Sequence, residues 1–156
     1  MKVQLCCGKN IKKGFTNVDL VDYGQEIICD INNGLPFDNG SVEYILIESG
    51  IEHLNSPIDF LKNVKKVLKK DGIIEIETDH YKYPKAYMPQ HKTLFSRAWF
   101  VDELNEDFLG LTFNVVESRL IFTKKSNIFL EFIPNLFPRF WETFFPCVAI
   151  RTKLKK

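Results

Sequence analysis

Residues 3–10, VQLCCGKN, join a short apolar run to a turn in which Gly8 and Asn10 tolerate unusual backbone angles. Such a turn exposes backbone amides. Asp19 lies in a second apolar run, residues 16–21, and Asp30 ends a third, residues 26–30. Ionised carboxylates only accept hydrogen bonds, so Asp19 suits the hydroxyls of a ribose and Asp30 the amino group of an adenine. Either acid alone is explained as well by loop solubility or local capping. The order of turn, acid and acid is what points to a nucleoside.

Glu52 and His53 follow a further apolar run, residues 42–47, where an imidazole or carboxylate can orient an acceptor or take its proton. A structural ion pair is the competing reading. His80 and His91 border a loop over residues 80–94, and the three histidines of the chain show no metal-ligand spacing, so no metal site is expected. Tyr81 and Tyr83, with His91, are candidates for a substrate wall, because rigid rings bury apolar area while hydroxyls supply polar contacts. Core packing is the alternative for the rings. Lys82 and Lys85 suit either an acidic substrate or ordinary exposed charge.

These groups need strands that end along one edge. Residues 2–7, 16–21, 26–30, 42–47 and 73–79 read as strands from their β-branched and apolar content. Between the last two, Ser56, Pro57 and Asp59 mark a helix start, and Ile58, Leu61, Val64 and Leu68 give an apolar stripe, with Gly72 interrupting its end. A strand, helix, strand unit favours a parallel sheet with loops collected at one edge. Ser96 is expected to cap a helix carrying Phe100, Leu104 and Phe108, and residues 113–123 and 147–152 supply late strands. No helix is evident after Asn10, so the first crossover is compact.

The 156 residues suffice for one domain, 1–156, and no repeat or linker divides them. Lys and Arg number 21 against 20 Asp and Glu, giving a net charge of +1, which removes bulk attraction to nucleic acid as an argument. Four cysteines without CxxC pairs indicate reduced thiols. The start resembles no signal peptide and no apolar run reaches 18 residues, so a soluble, cytoplasmic protein without a transmembrane span is expected. Phe occurs 14 times, more than the five Tyr and two Trp together, and clusters late. Residues 127–145, broken by Pro134 and Pro138, are expected to form an aromatic capping segment that packs on the domain or makes a homo-oligomer contact. A substrate wall and a peripheral membrane contact are lesser alternatives.

The joint pattern resembles class I S-adenosylmethionine-dependent methyltransferases, especially a compact group with LGCGxN, NVD, LPF and EHL motifs. It runs through VQLCCGKN, TNVDLV, CDINNGLPFDNGSVEYILI, IEHL, NVKKVLKKDGIIEIETD and HKTLFS, most of the chain. The resemblance implies an α/β fold, a Rossmann-like mostly parallel sheet with flanking helices, and S-adenosyl-L-methionine as cofactor. It assigns the cofactor turn to Leu5, Cys6, Cys7, Gly8 and Asn10, the ribose to Asp19, and the adenine edge to Asp30 and Ile31. Leu35, Pro36 and Phe37 would help enclose the cofactor, and Glu48 and Ser49 would point toward the methyl donor or acceptor.

The implied reaction is in-line transfer of a methyl group to a small-molecule or macromolecular acceptor, with Glu52 and His53 as candidate catalytic residues. Cys6 stands where the family has glycine, and its Cβ can obstruct the methionine moiety. The alternative is therefore a methyltransferase-like interaction or regulatory protein without efficient catalysis. A dehydrogenase is disfavoured because no GxGxxG phosphate turn is present.

Overall fold

The computed structural model describes residues 1–104, 111–122 and 128–156. Seven strands form one sheet in the order β3-β2-β1-β4-β5-β7-β6. They are β1 Lys2–Leu5, β2 Thr16–Asp19, β3 Ile27–Ile28, β4 Val42–Glu48, β5 Leu68–Asp79, β6 Asn114–Ile121 and β7 Ala149–Lys155. The first five run parallel, while β7 lies antiparallel between β5 and β6. This is the expected α/β, Rossmann-like, mostly parallel sheet. Val42, Ile45, Leu46 and Ile47 are all buried, as a central strand covered on both faces requires.

Helix α1, Pro57–Val67, connects β4 to β5. Ser56 Oγ accepts the Asp59 amide at 3.2 Å, Pro57 occupies the first turn, and Phe60, Leu61, Val64 and Val67 face the core. The expected stripe shifts at its end. Leu68 has already turned extended (φ −64°, ψ 137°) and pairs with Val42, so it is the first residue of β5. Gly72 therefore lies within β5, in a bulge between the Val42 and Tyr44 pairings that also holds Asp71 at φ 64°.

The crossovers on the other side are short. Residues 6–15 alone join β1 to β2, fewer than the dozen or so typical of a parallel connection, and they contain no helix. Between β3 and β4 there is one 3₁₀ turn, Ile31–Asn33. Ile11, Leu20, Val21 and Ile28 consequently remain exposed on this half.

Ser96 Oγ caps the next helical segment by accepting the Trp99 amide at 3.2 Å, and Phe100 and Leu104 are buried. That segment, Trp99–Glu103, is a π-helix. Phe108 and residue 127 lie outside the described residues, as does the side chain of Phe129. Helices α2, Ile128–Leu136, and α3, Pro138–Phe144, precede β7.

In the aromatic segment the rings divide between packing and exposure. Trp141 reaches Phe122 with ring centroids 6.2 Å apart, but Phe132, Phe137, Phe140 and Phe144 are each 55% exposed or more. What holds α3 is polar: Glu142 Oε1 accepts the Arg97 amide at 2.7 Å and pairs with buried His80 at 3.0 Å. His80 Nδ1 accepts the Lys82 amide, so Nε2 carries the proton given to Glu142. Lys82 Nζ donates to the Glu142 and Thr143 carbonyls at the end of α3, a structural use of that charge. Among the described residues no helix is long and apolar enough to cross a membrane.

Candidate functional site

Strand order reverses at β1, which has β2 on one side and β4 on the other, and Leu5 pairs with both Val18 and Ile47. The tips of β1, β2 and β4 thus align, and open parallel sheets bind ligands outside such a switch point. A cavity of about 540 Å³ lies there. Cys6, Asp19, Asp30, Ile31, Ser49 and His53 line it, with Leu20, Val21, Tyr23, Cys29, Asn32, Gly50, Leu54 and Lys92. Its size falls within the usual range for small-molecule pockets.

The two strand ends flanking the switch point share an uncommon conformation: Cys6 and Ser49 both have φ 52°. For side chains with a Cβ this left-handed geometry costs roughly 1–2 kcal/mol each, so the surrounding structure must impose it. The Ser49 amide is held by the Glu77 carbonyl at 2.9 Å. Gly50 follows directly, and a Cβ there would lie 2.8 Å from the Cβ and Sγ of Cys6. The chain accommodates a thiol in the turn after β1 by leaving residue 50 without a side chain. Burial, then the charges of Asp19 and Glu52, push the Cys6 thiol up to about 12, so it stays neutral.

Asp19 organises the turn from the tip of β2. Its Oδ2 accepts the Gly8 amide at 2.8 Å and its Oδ1 the Val21 amide at 3.0 Å. Each oxygen retains a lone pair for a further donor. Gly8 has φ 51° with open space around its Cα, so backbone conformation, not crowding, is what selects glycine there. The Asn10 amide closes the turn on the Cys7 carbonyl at 2.9 Å.

Asp30 lines the cavity but also caps the 3₁₀ turn, its Oδ1 accepting from Asn32 N and Nδ2 at 3.0 and 2.9 Å. The Asn32 amide, chiefly, holds the Asp30 carboxyl below its ordinary value. Asp30 thus caps the turn from the wall of the cleft.

Other expected site residues stand elsewhere. Leu5 and Cys7 are buried beneath the turn. Leu35 and Phe37 pack against the core, Pro36 is exposed, and none of the three lines the cavity. Glu48 is paired with Lys12 at 3.1 Å. Tyr81 lines a separate cavity of about 580 Å³ with Trp99 and Glu142, and Tyr83 lines neither. The second cavity's one carboxylate is already committed to His80 and the Arg97 amide, which leaves the switch-point cleft as the candidate site.

Glu52 and His53 sit on a 3₁₀ turn, Ile51–His53, beyond β4. The sequence set the histidines apart, yet the fold brings two together: the His53 and His91 rings meet edge to face at 4.7 Å. The link is backbone, since Glu52 O accepts the Lys92 amide at 2.8 Å. Glu52 is only 1% exposed, and burial raises its carboxyl against the pull of Thr78 and both histidines. Gly50 and Lys92 were missed from sequence. A glycine just past a strand end was a usable signal of close backbone approach, whereas Lys92 offered none.

Residues 7–76 match the family model described as "Methyltransferase domain". No curated protein matches the chain. Solved structures do. A SAM-dependent methyltransferase from Archaeoglobus fulgidus is 14% identical with TM-score 0.68, the match covering 99% of this chain and 85% of that one. A SAM-dependent methyltransferase from Aquifex aeolicus is 16% identical with TM-score 0.61, over 99% and 80%. The [4+2]-cyclase SpnF, for which no methyl transfer is named, is 10% identical with TM-score 0.66, over 99% and 73%. With the strand order and the antiparallel β7, these likenesses establish that the chain has the class I S-adenosylmethionine-dependent methyltransferase fold.

Proposed function

We propose that the protein transfers a methyl group from S-adenosylmethionine to an acceptor bound beside the switch-point cleft. The observation that carries this reading is Asp19, an acid at the tip of β2 that braces the Gly8 turn and keeps acceptor capacity facing the cleft. The cofactor supplies an electrophilic methyl on a sulfonium sulfur, which leaves as a thioether when the acceptor attacks in line. Asp19 would hold the ribose, Asp30 and Ile31 the adenine edge, and Cys6, Ser49 and Gly50 the floor beneath the reacting end.

Glu52 and His53 are the groups available to orient the acceptor or take its proton. His53 lines the cleft, while Glu52 lies behind it. Four free cysteines support a reducing, cytoplasmic setting. Calorimetry with S-adenosylmethionine should give saturable binding at one site per chain. A folded protein that binds none would remove this reading.

A second reading has its own observation. Cys6 narrows the turn and the first crossover lacks a helix, so the fold can serve an interaction or regulatory role without efficient turnover. Methyl transfer that is lost in a folded Asp19→Ala protein would decide for the enzyme.

A further inference from the structure

Glu52, His53 and His91 each offer one ligand atom, and these atoms lie within 4.8 Å of one another. Two of the available atoms are orphans. Among the described residues, Glu52 Oε1 and His91 Nδ1 are buried with no hydrogen-bond partner, while Glu52 Oε2 is held by Thr78 Oγ1 at 2.9 Å. Leaving a buried carboxylate oxygen unpaired is costly, and two such atoms in one cluster call for a shared partner.

His53 is already set for one. Its Nδ1 lies 3.2 Å from the Gln90 carbonyl, which can only accept, so Nδ1 carries the proton and Nε2 keeps its lone pair. Metal-bound imidazoles are commonly fixed by this type of carbonyl contact. The two supporting loops are tied together through Glu52 O and the Lys92 amide, and the His91 amide is held by Met88 O at 2.9 Å.

We propose that Glu52, His53 and His91 form a three-ligand site for a divalent transition ion of the zinc or cobalt type. Two imidazoles and one carboxylate suit such an ion, whereas magnesium and calcium require mostly oxygen ligands. Bonds of about 2.0–2.2 Å require the side chains to draw in by roughly 1 Å. Three protein ligands leave coordination positions open, and because His53 lines the cleft, these face the acceptor side. The site would take an oxygen donor, such as a hydroxyl or carboxylate of the acceptor. That last use rests on the methyltransferase reading; metal binding itself does not.

The test uses the full chain freed of metal and titrated with Co²⁺ or Zn²⁺ alone, without S-adenosylmethionine. One equivalent of Co²⁺ should develop visible ligand-field bands, and Zn²⁺ should displace it. His91→Ala and His53→Gln should each weaken affinity at least ~10-fold, with folding checked by circular dichroism. Binding should not depend on the thiols, so the Co²⁺ spectrum should carry no thiolate charge-transfer band. Absence of saturable binding, affinity unchanged in both histidine variants, or dependence on the thiols would overturn the site. Cofactor binding without metal binding would defeat this inference alone, and the converse would defeat the methyltransferase reading alone.

Discussion

Cys6 and Gly50 are complementary across the switch point: the space a Cβ on residue 50 would need, 2.8 Å away, is filled by the Cβ and Sγ of Cys6. The Gly50 φ of −134° is not in the left-handed region that favours glycine, so crowding is the stronger demand for glycine here. Gly50→Ala should therefore cost about 1–3 kcal/mol, the usual penalty of overpacking. In a Cys6→Gly background the same change should cost less, because the two nearest atoms are gone and Ile47 Cγ1, at 3.0 Å, is the crowding that remains. Urea denaturation of the four proteins in this double-mutant cycle measures the coupling. Equal cost in both backgrounds would show that the two side-chain positions do not compete.

Asp19 braces the turn and, in the proposed function, also receives the ribose. Asp19→Asn keeps the size and one amide-accepting oxygen but turns an NH₂ toward the other backbone donor. Cofactor affinity should fall at least ~10-fold, or about 1.4 kcal/mol. Calorimetry reads the affinity, and a thermal melt separates it from lost stability. Undiminished binding by the folded variant would move the ribose to another residue.

The legible parts were those written in local chemistry. Strand tips at Asp19 and Asp30, the Ser56 cap and the central run over residues 42–47 are each visible in residue type and spacing. Long-range pairing was not. His53 and His91 are 38 positions apart and meet only because Glu52 O binds the Lys92 amide. The compensation between Cys6 and Gly50 is likewise invisible until β1 and β4 lie side by side. The late aromatic run shows its ring content in sequence, but not that Trp141 packs on Phe122 or that Glu142 ties α3 to His80 and the Arg97 amide, since those partners are distant in the chain.

That set predicts an acid-side dependence of stability. Burial works to raise the Glu142 carboxyl, but His80 and the Arg97 amide outweigh it and hold it below its ordinary value. A lowered carboxyl gives stability that is complete above the unfolded value, about 4.3, and is lost as pH falls through the folded value. Glu142→Gln should cost about 1–3 kcal/mol at pH 7, the range for hydrogen bonds involving a charged group. Its deficit should narrow in acid. Urea titrations at pH 7 and in the acid range measure both, and a deficit unchanged with pH would mean that charge contributes nothing to the anchor.

The rings that α2 and α3 turn outward predict self-association. Phe132, Phe137, Phe140 and Phe144 are 55–68% exposed, as are Ile133 at 59% and Leu136 at 55%. So many large exposed apolar side chains on two short neighbouring helices are stabilised by burial against a partner. A second copy of the chain supplies the same surface, and a two-fold contact would cover both. Light scattering should show the mass rising with concentration toward a dimer. Phe137→Asp with Phe144→Asp should hold the protein monomeric, because docking would then bury unpaired charge. The aspartates leave Glu142 and its partners untouched, so the thermal melt of dilute protein should change little. A parent protein that stays monomeric over a wide concentration range would assign the exposed rings to something other than a second copy.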